Sequence, residues 1–378
     1  MKRKLSFSVA YQQNIAVIGE GAIGVATALS LIKRNNHINL TVFYDRPFEK
    51  TVSCCPAGLF RIDSLKHRPF GKISFKNYAK IFREVPPSIS GVNLISGHIL
   101  STNLTELVEQ LIQNLFENDN IESQTCNKNG LFLKERIYGD IVYNFRYLRE
   151  DEMKQFTEQK DDGHMFAIHF TTFTTEGGKF IPWMKKQLLK KGVNFIKRPI
   201  TTLSELYPDF DVIINCAGLN GGILAADGDD KNMFPIRGVV FKVNATWHKH
   251  FLYKRFLTFT IPTTDSVYIG TVKQEGRYDL EITPDDRDDI LGRYYELQPT
   301  IKDAEILDEW AGLRPGRIGG VRLEMTTIRY PTLKNYGLME KIVKIVHNYG
   351  HGGHGLTLAN GCGETVADLI FGNSTKII

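Results

Sequence analysis

Asn14 to Asp45 reads NIAVIGEGAIGVATALSLIKRNNHINLTVFYD, and its reading decides the fold. Ile15 to Ile18 form a short apolar run of the length of a buried strand. Gly19, Gly21 and Gly24 follow, then a helical pattern carrying Ala26, Leu29, Leu31 and Ile32. A second apolar strand, Ile38 to Tyr44, ends at Asp45. This order predicts a nucleotide-binding βαβ unit of about thirty residues. Gly19 permits the tight turn, Gly21 lets a pyrophosphate approach the backbone, and Gly24 lets helix pack closely on strand. The first helical amides, around Ala22 and Ile23, then face the phosphates. Asp45 lies about twenty residues beyond Gly24, where a carboxylate accepts from ribose hydroxyls. The glycine fingerprint alone leaves NAD and FAD both open.

With 378 residues the chain suggests two domains and ample core. Its net charge of +5 is interspersed, without a long basic block, so no nucleic-acid partner is expected. A mild positive balance favours an anionic substrate. The five cysteines show no paired C-x-x-C spacing, which fits a reducing compartment. Met1 to Gln13 carry too short an apolar stretch for a signal peptide, and no run has the length of a membrane span. The ending Lys376-Ile377-Ile378 is not Ser-Lys-Leu, so a cytoplasmic rather than a peroxisomal location is expected; the expected assembly is a monomer or homodimer. His347, His351 and His354 lie among glycines and are not read as a metal site.

Further along, strands are expected at Leu94 to Leu100, Phe166 to Phe173, Val193 to Ile196, Arg237 to Val243 and Val267 to Val272. Helices are expected at Leu104 to Phe116, Phe180 to Leu189, Asp285 to Leu297 and Leu358 to Ile370. Asp211 to Gly218 reads as a buried strand entering a second glycine turn.

Four blocks, in order, resemble the flavin-dependent D-amino-acid oxidase and D-aspartate oxidase family. They are VIGEGAIG from Val17, NCAGL from Asn215, GLRPGR to VRLE from Gly312, and HNYGHGGHGLT from His347. The resemblance covers nearly the whole chain and implies FAD as cofactor. It implies an α/β fold, with a Rossmann-like FAD-binding domain and a second, mainly antiparallel-sheet substrate domain. The FAD-binding domain would comprise 1–59, 150–234 and 320–378, and the substrate domain 60–149 and 235–319. The implied reaction passes a hydride from the substrate Cα to flavin, giving imino acid and then keto acid and ammonia, with dioxygen reduced to hydrogen peroxide.

Carried over residue by residue, the resemblance places Gly19, Gly21, Ala22, Ile23, Gly24, Asp45 and Arg46 at the nucleotide half of the cofactor. Thr51, Ser53, Gly58 and Leu59 would flank the flavin, with Ile200 and Gly218 at further backbone approaches. Gly352, Gly353, His354, Gly355, Leu356 and Thr357 would run along the isoalloxazine. Arg317 would hold the substrate α-carboxylate by a guanidinium fork, and the Gly353 carbonyl would receive the amine. Arg314 and Arg322 read as structural ion-pair partners. Phe259 stands where the family has a tyrosine, and phenylalanine cannot bond a carboxylate; Tyr253 is the substitute. For a second substrate carboxylate, Lys273 aligns with an arginine of D-aspartate oxidases, and Arg255 is another candidate cation. Oxidation of D-aspartate and D-glutamate is therefore expected. The alternatives are oxidation of neutral D-amino acids or a weakly active flavin-binding relative.

Overall fold

The structure is a computed structural model, which describes residues 12–101, 135–156, 166–254, 258–334 and 337–372. In chain order the elements are β1 (Gln13–Ile18), α1 (Ala22–Arg34), β2 (Ile38–Tyr44), β3 (Ala57–Leu59), α2 (Arg68–Glu84), β4 (Val92–Ser101), β5 (Tyr143–Tyr147), β6 (Phe166–Glu176), α3 (Gly177–Lys190), β7 (Asn194–Lys197) and β8 (Val212–Asn215). There follow β9 (Met233–Val243), β10 (Phe251–Lys254), β11 (Thr258–Pro262), β12 (Val267–Gly270), β13 (Gln274–Glu275), α4 (Pro284–Leu297), β14 (Ile306–Arg317), β15 (Arg322–Lys334), β16 (Gly337–Tyr349) and α5 (Gly355–Phe371). Shorter helical turns are left unnumbered. The helix expected at Leu104 to Phe116 lies outside the described residues.

A six-stranded sheet runs β15-β16-β8-β1-β2-β7. Its inner strands are parallel, and β15 is antiparallel to β16. A parallel sheet must be covered on both faces, and β1 shows how. Ile15 and Val17 pack with Val25 and Leu29 of α1 and Val366 of α5; Ala16 and Ile18 pack on the other face with Leu203, Leu206 and Leu224. Alternate side chains of one strand thus enter two cores, which is why Ile15 to Ile18 read as an unbroken apolar run.

A ten-stranded sheet runs β13-β9-β12-β11-β10-β4-β6-β3, with β14 on β9 and β5 on β6. Its described pairs are antiparallel except β10 with β4. Phe170, Phe173 and Phe251 fill its core against α2, while α4 covers the far end through Ile290 and Tyr294. The fully buried Arg237 on β9 is bound by both carboxylate oxygens of Asp286, at 2.8 and 3.2 Å, which fixes α4 to the sheet. Two strands from segments expected in the FAD-binding domain, β3 and β6, belong to this second sheet. The chain therefore crosses between sheets within 1–59 and within 150–234.

The packing of α1 on β1 is limited by Gly24. A Cβ built there would lie 1.9 Å from the Gly19 carbonyl oxygen, backbone that has no room to yield. Gly24→Ala is expected to cost about 1–3 kcal/mol through overpacking. The check is a lowered urea midpoint at unchanged m; an unchanged midpoint would show that the turn accommodates a methyl group.

Candidate active site

The residues expected at the cofactor gather at one edge. The strands β16, β8, β1, β2 and β7 are neighbours and parallel, so their C-terminal ends share an edge. Beyond those ends come, in turn, Gly350 to Thr357, Gly218, the Gly19–Gly24 turn, Asp45 with Arg46, and Ile200. The C-terminal edge of a parallel sheet is where ligands bind in open α/β folds.

The local geometry suits a dinucleotide. Gly19 has φ +109°, and an added Cβ would meet the Cys216 carbonyl oxygen at 2.5 Å. Gly21 caps α1 without a side-chain bond of its own, leaving the Ile23 and Gly24 amides of the first turn for a ligand. Ala22 is buried and Ile23 half-buried; the Ala22 amide donates to Ser53 Oγ at 3.1 Å, which brings the 51–59 loop to the helix end. Thr51 Oγ1 is spent locally on the Phe48 carbonyl, at 2.7 Å. Arg46 grips both oxygens of Asp45, and those bonds hold the Asp45 carboxyl below its ordinary pKa. Gly218 has φ +60° and open space where a Cβ would be. Ile200 packs its side chain against the core that contains Ala16 and Phe43. Leu59 is buried, and Gly58 leaves room for Leu356; a Cβ on Gly58 would approach Leu356 Cβ to 3.0 Å. Gly355, Leu356 and Thr357 open α5. The residues present fit FAD.

Where the 352–357 loop meets the ten-stranded sheet, a closed ring of contacts bounds the region that can serve as a substrate chamber. Gly353 lies beside Arg314, whose Cδ would be 3.6 Å from a Cβ on that glycine. His354 Nε2 is 2.8 Å from Asp63 Oδ2, and Asp63 is ion-paired with Arg61. Arg61 Nη2 donates to Tyr253 Oη at 3.1 Å, with its guanidinium carbon 4.8 Å from the ring centre. Tyr253 stacks on Phe259, its cross-strand partner, at 5.9 Å and 10°. Phe259 abuts Gly270, and Thr271 Oγ1 accepts from Arg314 Nη2 at 3.2 Å, which closes the ring. Burial pushes the Tyr253 hydroxyl upward, and it pushes His67 and His351 down to about 3, aided by neighbouring histidines. Tyr253 stays protonated and these two histidines stay neutral.

Arg314 differs from the other arginines of the core. No carboxylate among the described residues pairs with it. It is half-buried, and burial pulls its pKa down; Tyr253 opposes this and the charge of Arg61 adds to it. Space for its fork comes from Gly238, where a Cβ would lie 2.2 Å from Nη1.

Two expectations need correction. Arg317 is not at the chamber. Its Nε and Nη2 bind Asp229 at 2.9 and 2.8 Å, and its Nη1 donates to the Gly320 carbonyl at 3.1 Å. Strand alternation is the reason: Arg314 and Arg317 are three apart on β14 and leave it on opposite faces. Arg317 instead lines an open surface pocket of about 470 Å³ with Asp227, Asp229, Arg322 and Glu324. Lys273 is also elsewhere: its side chain is 52% exposed and pairs with Glu275 at 3.3 Å, so it is not a buried partner for a carboxylate. Arg255 lies outside the described residues. Arg61 and Asp63 were missed because LFRID follows the strand AGL without a periodicity of its own. No group of histidine, cysteine or acidic residues among the described residues is placed to hold a metal. No helix among them is long and apolar enough to cross a membrane.

The chain is similar to known proteins over nearly its whole length. The family model described as "DAO: FAD dependent oxidoreductase" matches residues 14–369. D-aspartate oxidase 1 of Caenorhabditis elegans is 44% identical over 96% of this chain and 99% of its own. D-aspartate oxidase 2 of Caenorhabditis briggsae is 42% identical over 94% and 97%. Among solved structures, L-proline dehydrogenase from P. horikoshii aligns with a TM-score of 0.70 at 16% identity, over 97% of this chain and 95% of its own.

The Arg317 assignment is open to test. Burial disfavours the Asp229 charge, but bonds from Arg317, Asn232 and Tyr349 hold its carboxyl well below the ordinary value. Arg317→Met should destabilise the fold by about 1–3 kcal/mol, less than a fully buried pair because Arg322 and Tyr349 still hold Asp229. Substrate KM should stay within about threefold of wild type; a KM rise without loss of stability would return Arg317 to the binding site. The sign of the pH effect follows. With its folded pKa depressed, Asp229 stabilises fully above the unfolded value and loses this as pH falls through it. Between about pH 5 and 3, Tm should fall more steeply for wild type than for Asp229→Asn.

Proposed function

We propose a function from one premise: the chain belongs to the FAD-dependent oxidoreductase family. It is an oxidase of acidic D-amino acids, taking D-aspartate and D-glutamate with dioxygen and water to the 2-oxo acid, ammonia and hydrogen peroxide. The names of its relatives at 41–44% identity support D-aspartate as substrate. One observation carries the assignment: a desolvated guanidinium, Arg314, has no carboxylate partner among the described residues at the junction of the glycine loop and the ten-stranded sheet.

The division of labour follows the two sheets. Gly19, Gly21, Ala22, Ile23 and Gly24 receive the pyrophosphate, and Asp45 with Arg46 the ribose. Thr51, Ser53, Gly58, Leu59, Ile200, Gly218 and the 352–357 loop complete the cofactor site. The ten-stranded sheet supplies the walls of the substrate chamber. FAD, when bound, accepts the hydride from the substrate Cα and returns two electrons to dioxygen.

The protein's own contribution is orientation and exclusion of water. Arg314 binds the α-carboxylate through a two-pronged fork, which fixes both the position and the tilt of the Cα–H bond. The Gly353 carbonyl, beside Arg314, accepts from the substrate amine. Tyr253 and Phe259 form a stacked apolar wall at 6% and 8% exposure, keeping water from the reacting carbon. With Arg314 as anchor, Phe259 in place of a tyrosine removes one auxiliary bond and leaves the main one.

Anaerobic D-aspartate should bleach the flavin absorbance of the purified protein, and D-alanine should do so far more slowly. Arg314→Ala should raise KM for D-aspartate by about 100-fold or more, and Arg314→Lys should recover only part of this because it lacks the fork. An Arg314→Ala variant with unchanged KM and intact flavin would move the anchor elsewhere.

A further inference from the structure

The chamber contains a second guanidinium, and its setting is as constructed as that of the first. Arg61 follows β3, and the preceding residue is fixed at both backbone ends: the Phe60 amide donates to the Phe173 carbonyl at 2.9 Å, and Thr172 Oγ1 donates to the Phe60 carbonyl at 3.0 Å. The side chain therefore leaves a rigid point. It runs inward, 19% exposed, to its ion pair with Asp63 and its bond to Tyr253. Asp63 is in turn held by His354, the neighbour of Gly353 in the loop assigned to the flavin ring. Around the closed ring of contacts, the two arginines stand on separate arcs, with Tyr253 between them on one side and Gly353–His354–Asp63 on the other. Arg61 acts on Arg314 directly enough for its charge to depress the pKa of that guanidinium.

We infer that Arg61 receives the side-chain carboxylate of the acidic D-amino acid and so sets the preference for dicarboxylic substrates. This rests on the reading that Arg314 holds the α-carboxylate. Two carboxylates of one small substrate then meet two separately anchored guanidinia, and neither is buried without a cation. Arg61 takes over the task that sequence alignment gave to Lys273, whose ammonium is paired at the surface. Asp63 and His354 do not touch the substrate in this assignment; they position Arg61.

The test compares substrates and inert ligands in the flavin-loaded protein. In Arg61→Gln, KM for D-aspartate and D-glutamate should rise about 30–100-fold, while kcat/KM for D-asparagine and D-glutamine should change less than about threefold. Binding without turnover, followed by the shift in flavin absorbance, should give the same split: malonate weakened by about 30-fold or more and propionate within about threefold. Arg61→Gln leaves Asp63 without its cation, so the double variant Arg61→Gln/Asp63→Asn, which removes both charges, should repeat the pattern in a better-folded protein. Equal losses for both substrate classes, or a retained preference for malonate, would overturn the assignment. Should wild type oxidise no acidic D-amino acid, the functional reading fails by itself, and the malonate-to-propionate ratio still decides the role of Arg61.

Discussion

A guanidinium withdrawn from water needs an anion, and Arg314 has none of its own among the described residues. The other interior arginines obey the rule within the fold. Arg237 is held by Asp286, Arg317 by Asp229 and Arg34 by Asp368. Removing the anion from such a pair leaves a buried charge, which is among the more costly defects a core can carry. The fold retains one defect of this kind and builds around it. Gly238 clears the space, Thr271 holds one nitrogen, and pairing of β14 with β9 fixes the backbone on which the cation is mounted. A structure that keeps an uncompensated cation at the end of a cofactor cradle is organised to be completed by an anionic ligand.

The cradle and the chamber are joined through the end of β16. That strand lies in the six-stranded sheet, yet the loop after it reaches the second sheet before turning into α5. Gly350 and Gly352 have φ of +82° and +52°, backbone that suits glycine and allows this path. A Cβ on Gly350 would lie 2.8 Å from Arg317 Cβ, so the glycine is what lets the loop pass close to the clamp formed with Asp229. Arg317 thus supports the site from behind. It ties the loop around Asp229 to the end of β14 and keeps the following turn in place through the Gly320 carbonyl.

The nucleotide half of the site was legible because its physics is local. A glycine turn, a helix start and a terminal acid follow one another in sequence, and Ile38–Tyr44 was read with the observed bounds. The ends of β8 and β16 could also be placed, since each carries its own glycine signal. The substrate half was not legible in the same way. Arg314 and Arg317 sit in one GLRPGR block, and only the two-residue alternation of β14 separates the inward guanidinium from the one that faces Asp229. With two glycines and a proline, that block carries no strand signal of its own, so the sequence does not show which of its arginines share a face. Arg61 gave no local signal at all, because its role arises from contacts to residues 192 and 293 positions away: Tyr253 directly, and His354 through Asp63. For Lys273, the resemblance offered a cation in sequence, but its side chain, between β12 and β13, is exposed and pairs with Glu275.

The two guanidinia of the chamber are not equivalent, and this bears on how specificity is graded. Arg314 meets an incoming carboxylate as an unpaired charge, so every amino acid gains from it, acidic or neutral. Arg61 is already engaged by Asp63 and Tyr253, with its orientation settled before a ligand arrives. A second carboxylate gains less Coulomb attraction there than at a naked cation, but it loses little entropy in ordering the side chain. A neutral side chain leaves the Arg61–Asp63 pair intact and strands no charge, so it is disfavoured only by the contact it fails to make. Rejection by a missing bond is weaker than rejection by a buried unpaired charge. On the proposed assignment, acidic substrates are favoured by degree: Arg314 would decide whether an amino acid binds, and Arg61 how well its side chain is received.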